Sequence, residues 1–416
     1  MSLEGAIAAN GNNRGWGIIA LRSLLSQSKA DNRPNLPLLG VSLHSGVTQR
    51  SANDGRPAAS EDLTAYKVVA PGNIIMNRLG KPHGSVGMSP WNGITSPAYW
   101  VMGINRQLGE SRFFHHLLRS SHLIAECERL GKNQPPNQFD ISWDAFRAVE
   151  IPLPPIEEQR RIADFLDFET ARIDRLTRLR NRQADLLEER CGLALDEAFQ
   201  NSTYEPTRLK YLLAVKPRYG VLVPQFSDSG VRFIRVNDLL DLPGRAESLA
   251  KIPYELSAQY ARTVTRPGDV LLSVVGTMGR SAVVPPQLAG ANVARAVASL
   301  RARRGVPPEL LSTWLTTPSF LRQASDVTGS DTAQPTLGME DLSNFRLSWP
   351  VDERGRAELL QTASTIRRHQ RELTRVLEAQ RRVLAERRQA LITAAVTGQF
   401  DVSTANGRNV TDGVSA

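Results

Sequence analysis

The stretch Pro71-Gly72-Asn73-Ile74-Ile75 returns 196 residues later as Pro267-Gly268-Asp269-Val270-Leu271. A glycine follows each copy, at Gly80 and Gly276. Farther on, Phe146, Val149, Ile151, Leu153 and Pro154 meet Leu342, Phe345, Leu347, Trp349 and Pro350. Positions 149, 151 and 153 alternate as one buried face of a strand would. Leu21, Leu24 and Leu25 lead the first copy, and Leu209, Leu212 and Leu213 lead the second. Repeated matches at a nearly constant offset predict an internal duplication.

Each copy has two parts. A variable region comes first, Gly15 to Glu150 and then Thr207 to Arg346, rich in short β-like runs such as Ala65 to Val69, Asp269 to Val275 and Ala296 to Leu300. Glycine, proline and asparagine turns separate these runs. A long helix follows, from about Ile156 to Phe199 and from about Glu353 to Val396. Pro154 and Pro155 suit the first helix's entrance, where a missing N–H donor does no harm. In the second helix Ala363, Ile366, Gln370, Leu373, Leu377, Gln380, Leu384, Arg387 and Leu391 follow coiled-coil spacing. Ile162, Phe165, Leu166, Ile173, Leu176, Leu187, Cys191 and Leu195 make a rougher stripe in the first. The stripes are of similar length, so the two helices are expected to cover each other, antiparallel.

The pattern predicts an α+β protein with an internal pseudo-repeat: two β-rich domains separated by two long, antiparallel, coiled-coil-like helices. The expected segments are an N-terminal stretch 1–14, a first domain 15–150, a first helix segment 151–200, a second domain 201–347, a second helix segment 348–402 and a C-terminal tail 403–416. Both terminal stretches read as flexible.

The chain has 416 residues with a formal net charge of +9, and 44 of its 51 basic residues are arginine. Anionic partners are therefore favoured, because arginine's planar fork matches a phosphate or a guanine edge. No apolar run approaches the ~20 residues of a membrane span. The first residues lack the basic and apolar blocks of a secretory signal. Two cysteines, Cys127 and Cys191, are too few for a disulfide scaffold. An intracellular, cytoplasmic protein is expected.

Familiar catalytic constellations are missing. There is no Gly-x-x-x-x-Gly-Lys-Ser/Thr loop and no Gly-x-Gly-x-x-Gly turn after a strand. Gln134-Pro135-Pro136-Asn137 lacks the flanking residues of an amino-methyltransferase loop. His115, His116 and His122 form no i, i+4 pair, and His122 with Glu126 is a pattern any surface helix reaches. Glu157 and Glu158 suit the first turn of a helix without any chemical role. No catalytic residue or metal ligand is assigned.

Polar donors cluster in the variable regions instead. Asn77, Arg78, Lys81 and His83 follow a strand in the first copy, and Thr277, Met278 and Arg280 follow its counterpart. A second cluster is Lys132, Asn133, Gln134, Asn137 and Gln138, matched by Ser330, Asp331, Thr332 and Gln334, with Asn292 and Arg295 as further donors. Such residues could present hydrogen-bond donors to a DNA groove, one face per copy.

At the joints the chain resembles the DNA-specificity subunits of type I restriction–modification systems. The residues carrying the resemblance are Ile151-Pro152-Leu153-Pro154-Pro155-Ile156-Glu157-Glu158-Gln159-Arg160-Arg161-Ile162 and the run from Glu386 through Gln389-Ala390-Leu391-Ile392-Thr393-Ala394 to Gly398-Gln399-Phe400-Asp401-Val402. The segment Pro267 to Leu272 resembles an element of that family's recognition domains. The resemblance implies two target-recognition domains, each binding half of a bipartite double-stranded DNA target, with the helices setting the unspecified spacer. It also implies two docked modification subunits carrying S-adenosylmethionine chemistry, and restriction subunits using ATP and Mg2+ for translocation and cleavage. This chain would bind none of those cofactors. Candidate docking residues are Pro154, Pro155, Glu157, Glu158, Gln159, Arg160, Leu391, Thr393 and Gly398.

The second junction departs from the pattern, reading Ser348-Trp349-Pro350-Val351-Asp352-Glu353-Arg354-Gly355-Arg356 without the Pro-Pro and Glu-Glu-Gln residues. Two other classes remain at this stage. A structural adaptor with only non-specific DNA contact would use the helices alone, and a stand-alone DNA methyltransferase would need a methyl-donor motif that the sequence lacks.

Overall fold

The computed structural model describes residues 15–28, 35–42, 46–50, 62–77, 85–134, 138–201, 203–329 and 335–404. The chain divides into two compact units, Met1–Arg180 with Ala379–Ala416, and Asn181–Glu378. Each unit takes part of each long helix.

In the first unit a four-stranded antiparallel sheet runs in the order Leu25–Gln27, Tyr99–Ile104, Ile74–Asn77, Val86–Met88. Strand alternation splits its apolar residues between two cores. Ile74, Met76, Trp100 and Met102 face helices α1 (Ser111–Leu117), α2 (Ser121–Leu130) and α3 (Trp143–Arg147). Ile75 and Val101 face the other way, against Leu39, Val41, Val47 and Val69 of two short ribbons. Burial on both faces explains why Ile74-Ile75-Met76 reads as a continuous apolar run. The α2 N-terminus is capped by Ser120, whose hydroxyl accepts from the Leu123 N–H.

Helix α4 (Ile156–Phe199) starts in the first unit, directly after the strand Glu150–Leu153, which pairs with Gly17–Ala20. The second unit then adds α5 (Leu209–Leu212), α6 (Tyr254–Gln259), α7 (Pro308–Trp314), α8 (Pro318–Thr328) and α9 (Met339–Asn344), and α10 (Glu353–Val396) begins in it. Its four-stranded sheet runs Arg218–Tyr219, Val297–Leu300, Val270–Ser273, Ser281–Val283. Val270, Leu272 and Leu300 face α7 and α8, whereas Leu271 and Val297 pack on Ile234, Leu239 and Val293.

The duplication is therefore structural. Ile74–Asn77 against Val270–Ser273, and Glu150–Leu153 against Arg346–Trp349, keep the 196-residue offset to the residue. The turn that opens the central strand is also the same. Gly72 and Gly268 lie at φ +87° and +82°, the conformation a Pro-Gly turn needs at its third residue. Asn73 donates its N–H to the Ala70 carbonyl and accepts from the Ala70 N–H. Asp269 does both with Arg266. The carboxylate in place of an amide is buried, and Arg301 answers its charge with two bonds of 2.8 Å.

Both long helices have 44 residues, and each unit shows them antiparallel. In the first, Ile162, Ala163 and Leu166 share a core with Ile392, Ala395 and Val396, and Arg388 pairs with Asp174 at 3.3 Å. In the second, Leu195 and Phe199 share a core with Leu359 and Ala363. The expected seam is buried toward these ends. Leu176 and Leu373, both expected to be covered, are 37% and 51% exposed. No helix among the described residues is long and apolar enough to cross a membrane.

Candidate functional site

In the second unit the strand Val270–Ser273 runs into a turn with Gly276 at φ +69° and Gly279 at φ +82°. Ser273 is fully buried beneath that turn, its hydroxyl donating to the Thr277 carbonyl at 2.6 Å and accepting from the Arg280 N–H at 3.0 Å. Thr277 is thus held at the surface, and Arg280 reaches Asn237 Oδ1 at 3.1 Å. The Gly276 N–H donates to the Pro335 carbonyl, and Tyr219 donates its hydroxyl to the Leu337 carbonyl at 2.7 Å. Burial raises the Tyr219 phenol above its ordinary pKa, so it stays a donor at neutral pH.

Arg295 is exposed, and its N–H donates to the Val221 carbonyl at 2.8 Å. Asn292, grouped with it in the sequence, is placed in the interior. It lies on a strand paired in parallel with Phe233–Ile234, and its side-chain oxygen accepts from the Ser257 hydroxyl. Its amide therefore supports the fold and offers no donor at the surface. Ser330 and Gln334, with Asp331 and Thr332, lie outside the described residues.

In the first unit, Asn77 ends its strand opposite Tyr99, and its N–H donates to the Ser85 carbonyl. Arg78, Lys81 and His83 lie outside the described residues. The second cluster is built on a two-stranded antiparallel ribbon, with Lys132 opposite Asp140, Asn133 opposite Phe139 and Gln134 opposite Gln138. Asn137 lies outside the described residues. The ribbon brings Lys132, Asn133, Gln134 and Gln138 onto one element, and a two-stranded ribbon fits a DNA major groove.

The junction residues separate into buried and exposed sets. Gln159 is fully buried, and its side chain accepts from the Glu110 N–H while donating to the Leu108 and Pro154 carbonyls, each at 2.9 Å. Leu391 packs with Ile173 and Phe400. Thr393 Oγ1 accepts from the Ser121 N–H at 3.2 Å and lies 3.0 Å from its hydroxyl. Gly398 adopts φ +78° beneath the Trp16 ring, whose indole N–H donates to Glu158 at 3.0 Å. Pro154 is buried as well. The first unit itself thus covers Pro154, Gln159, Leu391 and Thr393, leaving Pro155, Glu157 and Arg160 open to a second protein. Glu157 and Arg160 pair at 2.6 Å.

The second junction keeps the clasp with different chemistry. Arg356 Nη1 turns back from the helix start to donate to the carbonyls of Pro350 and Val351, as Gln159 does to Pro154. Asp352 accepts from the Gly355 N–H at 2.7 Å and caps the helix.

No protein-family model matches the sequence. The chain is 30% identical over 276 residues to the type I restriction enzyme EcoBI specificity subunit of Escherichia coli, a match covering 58% of this chain and 56% of the relative. It thus spans little more than half the length of that curated relative. Its fold is that of a chain solved in work on complex assembly and conformational transition of the type I R-M system, with a TM-score of 0.63, 22% identity and coverage of 93% and 99%. The HsdS subunit from Thermoanaerobacter tengcongensis aligns with a TM-score of 0.45 at 21% identity over 93% and 98%. The resemblance carried by the junction residues is borne out by the curated relative.

Proposed function

We propose that this chain, similar in sequence to a type I restriction enzyme specificity subunit and sharing a fold with the type I system, is a sequence-specific DNA-binding subunit of such a system. Each unit reads one half of a bipartite duplex target. The observation that carries this is the duplicated unit, in which one strand–turn scaffold is kept while the polar side chains around it differ. Linking two modest readers in one chain multiplies their affinity without new contacts, and differing donor patterns give differing half-sites.

In this reading the chain is non-catalytic by itself. Two modification subunits dock on it through exposed junction residues such as Pro155, Glu157 and Arg160, and supply the S-adenosylmethionine chemistry. Restriction subunits supply ATP- and Mg2+-dependent translocation and cleavage. The length of the two 44-residue helices sets the unspecified spacer between half-sites. The test is base-resolved methylation mapping in cells with and without this chain. A bipartite methylated motif that disappears with the chain is the expected result; an unchanged methylation pattern would overturn the proposal.

A further inference from the structure

The segment Gly220 to Phe226 carries the most unusual surface of the second unit. Its start is fixed on the strand Asn292–Val293. The Val221 N–H donates to the Val293 carbonyl, and the Val221 carbonyl accepts from the Arg295 N–H, both at 2.8 Å. A side chain at Gly220 would lie 1.9 Å from the Val293 oxygen, so only glycine permits this approach. Its far end is fixed too, by the Ser227 N–H donating to the Lys251 carbonyl. Between these pins Val221 is buried, whereas Leu222, Val223 and Phe226 are 53%, 68% and 60% exposed.

Three exposed apolar side chains on an arch pinned at both ends are not a frayed loop. Val223 precedes Pro224, which holds it extended, and its β-branch stiffens χ1. Val223 is therefore presented with little conformational freedom left to lose on binding. The chain leading into the arch is basic. Lys216 and Arg218 precede the arch, and no acidic residue occurs from Leu213 to Phe226. Arg295 is exposed, its N–H is bonded to the Val221 carbonyl, and it makes no ion pair among the described residues. An apolar tip flanked by an unneutralised guanidinium fits a DNA groove, where the phosphates take the charge and the thymine C5-methyl takes the apolar contact.

We propose that Leu222 and Val223, with Arg295 beside them, form a base-reading element of the second unit that recognises a thymine through its methyl group. This rests on the chain being a DNA-specificity subunit, and it names the base class and residues that the reading leaves open.

The test uses the full chain assembled with its modification subunits, and duplexes of the mapped target in which each thymine in turn is replaced by deoxyuridine. One position, in the half-site assigned to the second unit, is expected to lose about four-fold in affinity, the worth of one buried methyl group. Leu222→Ser/Val223→Ser should bind the thymine and deoxyuridine duplexes equally, while keeping its preference at the other half-site. Leu222→Ala, a milder change at an exposed position, should lose part of the discrimination. If no deoxyuridine position matters, or the double variant discriminates as the wild type does, the inference fails while the DNA-reading role stands. Loss of assembly with unchanged discrimination would assign the arch to a protein partner and also overturn it. A wild-type complex with no sequence preference would instead remove the DNA-reading role itself.

Discussion

Asp196 accepts from both the N–H and the hydroxyl of Ser319, at 3.1 and 2.6 Å, where the C-terminal half of α4 meets the start of α8. The first unit makes the corresponding contact with neutral groups, Thr393 of α10 taking the N–H of Ser121 at the start of α2. In each unit a long helix that began elsewhere in the chain ends by clasping the N-terminus of a short one. A carboxylate suits that position, because unsatisfied N–H groups gather there.

Asp196→Ala removes a buried acceptor and leaves the Ser319 N–H without its partner. The expected loss is about 1.5–3 kcal/mol, the range for hydrogen bonds to a charged group. Asp196→Asn should lose roughly half of that. Urea unfolding of the full chain measures the total, and faster hydrogen exchange confined to Pro318–Thr328 and its neighbours would place it.

The same contact shows what the sequence could and could not reveal. The duplication was legible because strand alternation and the Pro-Gly turn are local, and both helix spans were read from periodicity and flanking residues. The fate of polar side chains was not. Gln159 reads as an exposed residue in a helical first turn, yet its amide is satisfied by Leu108 and Glu110, partners some 50 residues away. Asn292 and Arg295 look alike in sequence, and only the pairing of Asn292 with Phe233 puts the first inside while Arg295 stays out. Leu222 and Val223 are exposed beside the buried Val221 because the segment is pinned to other strands, which no local pattern shows. The coiled-coil spacing of α10 is visible, but not that Leu373 on its stripe stays exposed.

Two glycines in the left-handed region should respond differently to alanine. At Gly398 a Cβ would meet the Trp16 ring at 3.1 Å in addition to the strain of φ +78°. At Gly276, φ +69°, it would meet open space. Gly276→Ala should therefore cost about 1 kcal/mol, the backbone strain alone. Gly398→Ala should cost about 2 kcal/mol or more, since the ring must also shift. Thermal unfolding of both variants tests the order, and equal losses would show that Trp16 moves freely.

Exchanging residues 207–346 for the same region of a related subunit should change one half of the methylated motif and preserve the other. The motivation is the separate core each unit builds under its own sheet. Methylation mapping of the chimaera is the measurement. Changes in both halves would mean that the units do not read independently.

His115 is largely buried and accepts the Met88 N–H on Nδ1 at 3.1 Å. Burial, with His116 and Arg119 beside it, pushes its imidazole down to about 3. Burial also lowers His116, although Asp167 at 2.7 Å opposes the shift. In the unfolded chain both titrate near ~6.5. Between those values the unfolded chain takes up protons that the folded chain refuses, so stability is full above about pH 6.5 and falls as pH drops toward 3. Asp167 lies below the ordinary carboxylate range, held there by His116 and Arg112 against its burial. Its contribution is therefore lost only at lower pH, and the histidines dominate between about pH 6.5 and 4.5. At pH 5 the His115 term amounts to roughly 1–2 kcal/mol, reduced for the part of the ring that water reaches. His115→Gln keeps an acceptor for the Met88 N–H but has no proton to gain. Urea unfolding at pH 7.5 and 5.0 should show a smaller loss in His115→Gln than in the wild type. An equal loss in both would place the acid sensitivity elsewhere, first at His116 and Asp167.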